Sequence, residues 1–430
     1  MNRIITILLF VVGFQLPAFA QGPLAPPGAP APTMLTLNQV EPRTPITNTT
    51  AVTISSSGSY YLTTNITVST GDGIDITASQ VTLDLNGFTI SSTAASANGT
   101  GVSLAGGNTD ITILNGHILG SGFVNGINYS GSAPVNTRVS GVSVSGCSGF
   151  GIILGTASST VVDSCTVQTI GVYGIQASSV FHSSAYLCGS VAINANTAEN
   201  CYGNCSGSGD GFYVGTANDC YGYSSSGYGL YATTATGCYG FTGTGPAGLD
   251  ANNAINCYGV SNGTGDGLDA NNASSCSGYS ISGSGLAAAA LATGCSGVST
   301  NGTGLSASTA NNCYGVSGSN GNGLYTTQTA TGCYGQSANS NGLFANAAAN
   351  NCSGVSNNGS ESYGLYAGST AIGCIGQNTS GGGGGMHAEV AMGCDGQAAG
   401  PSGIGLVATI ANSCLSNTGD GNITYKYNMP

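Results

Sequence analysis

The stretch TGCYGFTGTGPAGLDANNAINCYG, Thr236 to Gly259, carries Cys-Tyr-Gly at both ends, at Cys238 and Cys257. From Cys201 the beat continues through Cys220, Cys238, Cys257, Cys276, Cys295, Cys313, Cys333, Cys352, Cys374, Cys394 and Cys414, in steps of 18 to 22 residues. A period of this size carried over more than three units marks a solenoid, in which each repeat buries its apolar face on its neighbours.

Other columns keep the same register. An alanine lies three residues before every one of these cysteines, from Ala198 to Ala411. A glycine lies two residues after each except the last, where Ser416 stands. Between cysteines, Gly is followed by one bulky apolar residue, as at Leu230, Leu249 and Leu268. One large side chain and several small ones per repeat predict a narrow coil. The residue before each cysteine is Asn, Asp, Gly or Ser, the types that tolerate left-handed backbone angles, so a sharp bend is expected there. With Gly, Ser, Thr and Asn dominant and no 3.6-residue apolar period, helices are not expected. Short alternating strands are, with Leu and Ala of GLYA inward and Tyr outward.

The ends and the composition set the compartment. Arg3, the apolar run Ile4 to Phe14 and Ala18-Phe19-Ala20 read as a cleaved secretory signal over residues 1–20, since the run is too short to span a bilayer. A Pro-rich leader (21–47) follows, then wider, less regular coils (48–200), regular coils (201–414) and a terminal segment (415–430). SGSYYLTTNITV and NITYKYNMP (Asn422 to Pro430) are expected to cover the two ends. No later segment is long and apolar enough to span a membrane. The chain holds 73 Gly but only 4 Lys/Arg against 16 Asp/Glu. Past the signal the cations are Arg43, Arg138 and Lys426, too few and too scattered to neutralise nucleic-acid phosphates.

VTLDLNGFTI (Val81 to Ile90), GVSLAGGNTDITILNG and GIILGTASSTVVDSCTV resemble coils of the secreted bacterial right-handed parallel β-helix repeat proteins, of the pectate-lyase-like superfold, that have no assigned activity. The resemblance implies an all-β, single-stranded right-handed β-helix with three parallel sheets per turn and coils about 4.8 Å apart. It implies no activity.

The residues leave several chemistries open. Sixteen cysteines in a secreted chain suggest disulfides. Stacked in-register side chains run parallel, however, which is poor for the disulfide torsion, so the Cys201–Cys414 column is read as buried thiols of the lumen. Cys188 and Cys205 fall outside the column and are expected to serve another purpose. Tyr202, Tyr221, Tyr239, Tyr258, Tyr314 and Tyr334 form an outward ladder that stacks on itself or receives sugar rings. Tyr213, Tyr231, Tyr325 and Tyr366 form another.

Asp250 and Asp269 hold one position in adjacent coils, a spacing close to that of a retaining glycosidase pair. With Asp266, Asn252 and Asn271 they are also the candidate ligands for calcium, the one cofactor considered. Catalysis of the pectate-lyase type needs a basic residue as well, for which Arg138 is the candidate. His117, His182 and His387 are isolated. The leading expectation is a secreted structural or adhesive β-helix meeting a polysaccharide or cell-surface component. A polysaccharide lyase or glycoside hydrolase of the same fold, and an ice-binding or other surface-matching solenoid, are the alternatives.

Overall fold

The computed structural model describes residues 41–157, 159–358, 361–380, 382–400, 402–418 and 423–429. The expected signal and most of the leader lie outside the described residues. From Thr44 onward the chain is one unit, a stack of parallel coils. The described residues hold 44 strands and no helix.

Each regular coil has three faces. The strand Leu230–Thr236 turns a corner at Thr233: Leu230 to Ala232 pair with the first face of the next coil, and Thr234 to Thr236 with its second. Tyr239–Thr242 is the third face. Further along, the corner splits the strand outright, into Leu324–Thr326 and Thr329–Thr331, followed by Tyr334–Ser337. Strand pairing joins each face to the same face of neighbouring coils, always in parallel.

The bend before each cysteine is where the second face passes into the third. Every one of the twelve preceding residues has a positive φ between 48° and 64°, including Asp219, Asn256, Ser275 and Ser413. The Asn/Asp/Gly/Ser restriction in that column is therefore a backbone requirement. Tyr258 N–H then donates to the Cys238 carbonyl at 2.9 Å, and the equivalent bond recurs coil after coil.

The lumen narrows along the chain. Register partners Val81 and Ile111, Thr112 and Arg138, Arg138 and Val161, and Val161 and Ser179 draw steadily closer in sequence. The wide coils are filled by Ile, Leu, Val and Phe123, and most of the narrow ones by a Leu, two Ala and a Cys, with Phe212, Val214, Thr326 and Met386 as departures. The narrow coils close by backbone contact. A Cβ placed on Gly259 would lie 2.1 Å from the Gly267 carbonyl oxygen, and one on Gly267 would lie 2.4 Å from the backbone of Tyr279. Both glycine columns are thus fixed by close approach of main chains.

A hydroxyl column escapes the sequence pattern. Four residues after the cysteine, Ser224, Thr242, Ser261, Ser280, Ser299, Ser317, Ser337 and Ser356 are buried. Thr242 Oγ1 donates to the Gly227 carbonyl at 2.7 Å and accepts from Gly245 N–H at 2.8 Å. Ser224, Ser280 and Ser299 make the same two bonds. The hydroxyl ties its own turn to the turn of the preceding coil.

The ends differ from expectation. Thr44–Ile46 already pairs with Gly58–Leu62, so the stack reaches back past the expected boundary at residue 48. Within SGSYYLTTNITV, Gly58–Leu62 lies between Thr44–Ile46 and Val81–Asp84, while Ile66–Val68 pairs, among the described strands, with Thr89–Ser92 alone and ends its face. At the other end Tyr425–Tyr427 adds a parallel strand to Ile410–Asn412 on the second face. Asn422 and Pro430 lie outside the described residues.

Candidate functional site

The outward column of the first face runs, in register, Tyr213, Tyr231, Asp250, Asp269, Ala287, Ser306, Tyr325, Phe344, Tyr366, His387. Strand alternation puts these side chains outside because Leu and Ala on either side fill the lumen. The two aromatic runs stack on themselves. Tyr213 and Tyr231 are 5.1 Å apart at 9°, and Phe344, Tyr366 and His387 follow at 4.6 Å and 3–4°.

Between the runs lies a trough of about 290 Å³. Tyr231, Thr233, Asp250, Asn252, Asp269 and Asn271 line it, with Ala232, Ala251, Ala270 and Ala289. Tyr231, whose ring meets that of Tyr228 at 5.3 Å and 51°, stands at one end of the trough. Four uncharged or acidic polar groups stand in two rows at strand spacing, over strand backbone at Ala232, Ala251 and Ala270, whose methyls point into the lumen.

The acid pair is electrostatically unfavourable. Burial first, then Asp250 and Asp266, pushes the Asp269 carboxyl up to about 6, and burial also raises Asp250. Folding therefore favours protonated Asp269. Stability falls as pH rises from the ordinary carboxylate range towards 6, and stays lower above it. Asp269→Asn is expected to raise the melting temperature at pH 7.5 and leave it unchanged at pH 4. The gain is no more than about 1 kcal/mol, because the half-exposed carboxyl is screened by solvent. Equal shifts at both pH values would contradict this account.

Asp266 belongs to a different arrangement. Its Oδ1 accepts from Ser284 N–H of the next coil at 2.6 Å, as Asp210 does from Tyr228 and Asn341 from Tyr363, both at 2.8 Å. It is an inter-coil cap lining a neighbouring depression with Thr264 and Pro246, and it is absent from the trough lining. Among the described residues no group of three or more His, Cys, Asp or Glu gathers as a metal site.

Arg138 is not brought to the acid pair. It sits six coils away on the second face, about 29 Å along the stack at ~4.8 Å per coil. Its guanidinium instead lies 3.9 Å from Asp163, which also meets His182 Nδ1 at 3.1 Å. A lyase-type centre uniting Arg138 with Asp250 and Asp269 is thus not assembled. His387 is buried at Nδ1 within its aromatic stack, and burial lowers its pKa. His117 faces outward on the third face, in register with Thr89 and Ser143.

The third-face ladder places Tyr202, Tyr221 and Tyr239 face to face, at 5.2 and 4.5 Å and 11–12°. Tyr258 breaks away at 59°, Ser277 and Ser296 interrupt the column, and Tyr314 and Tyr334 stack again at 5.3 Å. Within these stacks the ring faces cover one another, leaving edges outward. Free faces remain only where a stack ends, which sequence spacing alone does not reveal. In the second-face column Thr197, Thr216 and Thr234 are in register on three successive coils, after which Asn253, Asn272 and Leu291 interrupt the threonines before Thr309.

The twelve column cysteines are buried and unpaired with one another. Each thiol follows its bend and donates to the carbonyl two residues earlier, for example Cys238 to Thr236 at 3.2 Å and Cys257 to Ile255 at 3.2 Å. Cys257 N–H points at Cys276 Sγ at 3.5 Å, so successive sulfurs lie one above the other.

No protein family matches the chain, and no curated protein aligns with it. A solved structure similar to it is the A-module of the mannuronan C-5 epimerase AlgE6 of Azotobacter vinelandii. It is 12% identical over 85% of this chain and 92% of that chain, with a TM-score of 0.31. A likeness of that size carries no function with it.

Proposed function

We propose that the protein is a secreted structural or adhesive β-helix that binds a neutral extracellular polysaccharide along its first face. The observation that carries this reading is the trough between Tyr231 and Asp269. It offers an aromatic side chain at its end, and carboxylates and amides that pair with hydroxyls over an open floor of strand backbone. The chain's net charge of −12 disfavours anionic polymers.

A second reading, a retaining glycoside hydrolase, is favoured by one observation. Asp250 and Asp269 are in register at the ~5 Å strand spacing expected of a nucleophile and its acid partner, and of the two raised carboxyls Asp269 is pushed further, up to about 6.

The test is incubation of purified protein with a panel of neutral and acidic polysaccharides, reading retention and released products together. Retention of a neutral polymer without products is the expected result. Tyr231→Ala should weaken it about tenfold, the equivalent of ~1.4 kcal/mol. Product release that disappears in Asp269→Asn would establish the enzyme reading instead. Retention unaffected by Tyr231→Ala would remove the trough from the account.

A further inference from the structure

Cys188 and Cys205 are in register on the third faces of adjacent coils, and both are fully buried. Their setting differs from that of the long cysteine column. There, parallel stacking aligns the Cβ–Sγ bonds of successive coils, which is unsuited to a disulfide torsion. Here the pairing is irregular. The register slips between Ala185 and Cys188, because Ser184–Cys188 has one residue more than Tyr202–Cys205. The extra residue is Leu187, exposed and held at φ 51°, an uncommon conformation for leucine. The bulge brings Cys188 into register with Cys205, both free thiols in this structure, and it continues a bend that Thr169, at φ 55°, makes in the preceding coil.

Cys205 also occupies the position that Ser224 and its successors fill with a hydroxyl. Those hydroxyls make two strong bonds to neighbouring turns, which a weakly hydrogen-bonding thiol replaces poorly. A thiol here, opposite a second thiol delivered by a bulge, calls for a reason other than turn bonding.

We infer that Cys188 and Cys205 form an inter-coil disulfide when the chain folds in an oxidising compartment, stapling the irregular coils to the first regular ones. Adjacent strands place Cα atoms about 4.8 Å apart, inside the range a disulfide spans. The bond forms by exchange with a disulfide oxidant, such as a periplasmic oxidoreductase. One cysteine thiolate attacks the oxidant and releases one of its thiols. The second thiolate then attacks the mixed disulfide, so the Cys188–Cys205 bond forms and the oxidant leaves as a dithiol. The two protons lost from the cysteines end on the reduced oxidant.

The test uses the full chain, exported to the bacterial periplasm, denatured without reductant and alkylated, then digested for mass spectrometry. All but two of the 16 cysteines should be alkylated, with one cross-linked peptide pair containing Cys188 and Cys205. After reduction all should label. Cys205→Ser should abolish the cross-link while preserving the fold, because it restores the hydroxyl of the later coils. Alkylation of all 16 cysteines before reduction, or a cross-link joining other cysteines, would overturn the inference.

Discussion

Gly259→Ala is expected to cost about 3 kcal/mol or more, although it adds a single methyl group. The methyl would sit 2.1 Å from the Gly267 carbonyl oxygen and 2.7 Å from its carbon. Neither atom belongs to a side chain that could rotate away, so the coil must open at its narrowest point. Solenoid coils are held mainly by their two neighbours, so the damage should appear locally as new protease cleavage near residues 259–267, together with a lower denaturation midpoint. Tyr258→Ala, one residue away but facing outward, should cost no more than about 1 kcal/mol. Comparable effects from the two substitutions would show that the glycine contact does not limit the coil.

Thr242→Val is the second large effect. The change is nearly isosteric, but it strands the Gly227 carbonyl and the Gly245 N–H in a buried turn. Two unsatisfied buried groups at about 1–3 kcal/mol each predict a loss of roughly 2–6 kcal/mol. The fold supplies its own control. Ser317 holds the same position, but its Oγ is buried with no hydrogen-bond partner, so Ser317→Ala should be neutral or slightly stabilising. Chemical denaturation of the two variants side by side reads the difference. Equal midpoints would mean that the hydroxyl column contributes no turn-to-turn bonding.

The contrast between these two positions shows where the sequence is legible. The Gly, Ala, Leu and Cys columns repeat a residue type, so the coil, its inward faces and the bend before Cys257 can all be read from spacing. The hydroxyl column repeats only a chemical group, shared among Ser and Thr in turns already rich in both, and Cys205 disguises its head. The acid pair is also visible in the sequence as two residues one coil apart. Its raised pKa depends on burial in the trough and on neighbouring carboxylates, and the role of Asp266 depends on an amide of the next coil. Arg138 fails as a partner for a reason that spacing could have given, since six coils separate it from Asp250. The tyrosine ladders are visible as columns, but which ring faces stay free depends on tilt, as at Tyr258, and on off-column rings such as Tyr228, which packs on Tyr231.

The left-handed joint has a consequence for how such a chain can change length. Asn256–Cys257 and Ser275–Cys276 present the same backbone turn to the strand that follows. A gene duplication or deletion that breaks at any two of these joints rejoins an unchanged hinge, and the new neighbours meet through the same Ala, Gly and Leu. The number of coils is then a quantity that inheritance can count up or down in whole units. The first-face trough depends on a run of four particular coils in that count, so extension elsewhere lengthens the reach of the molecule without rewriting its grip.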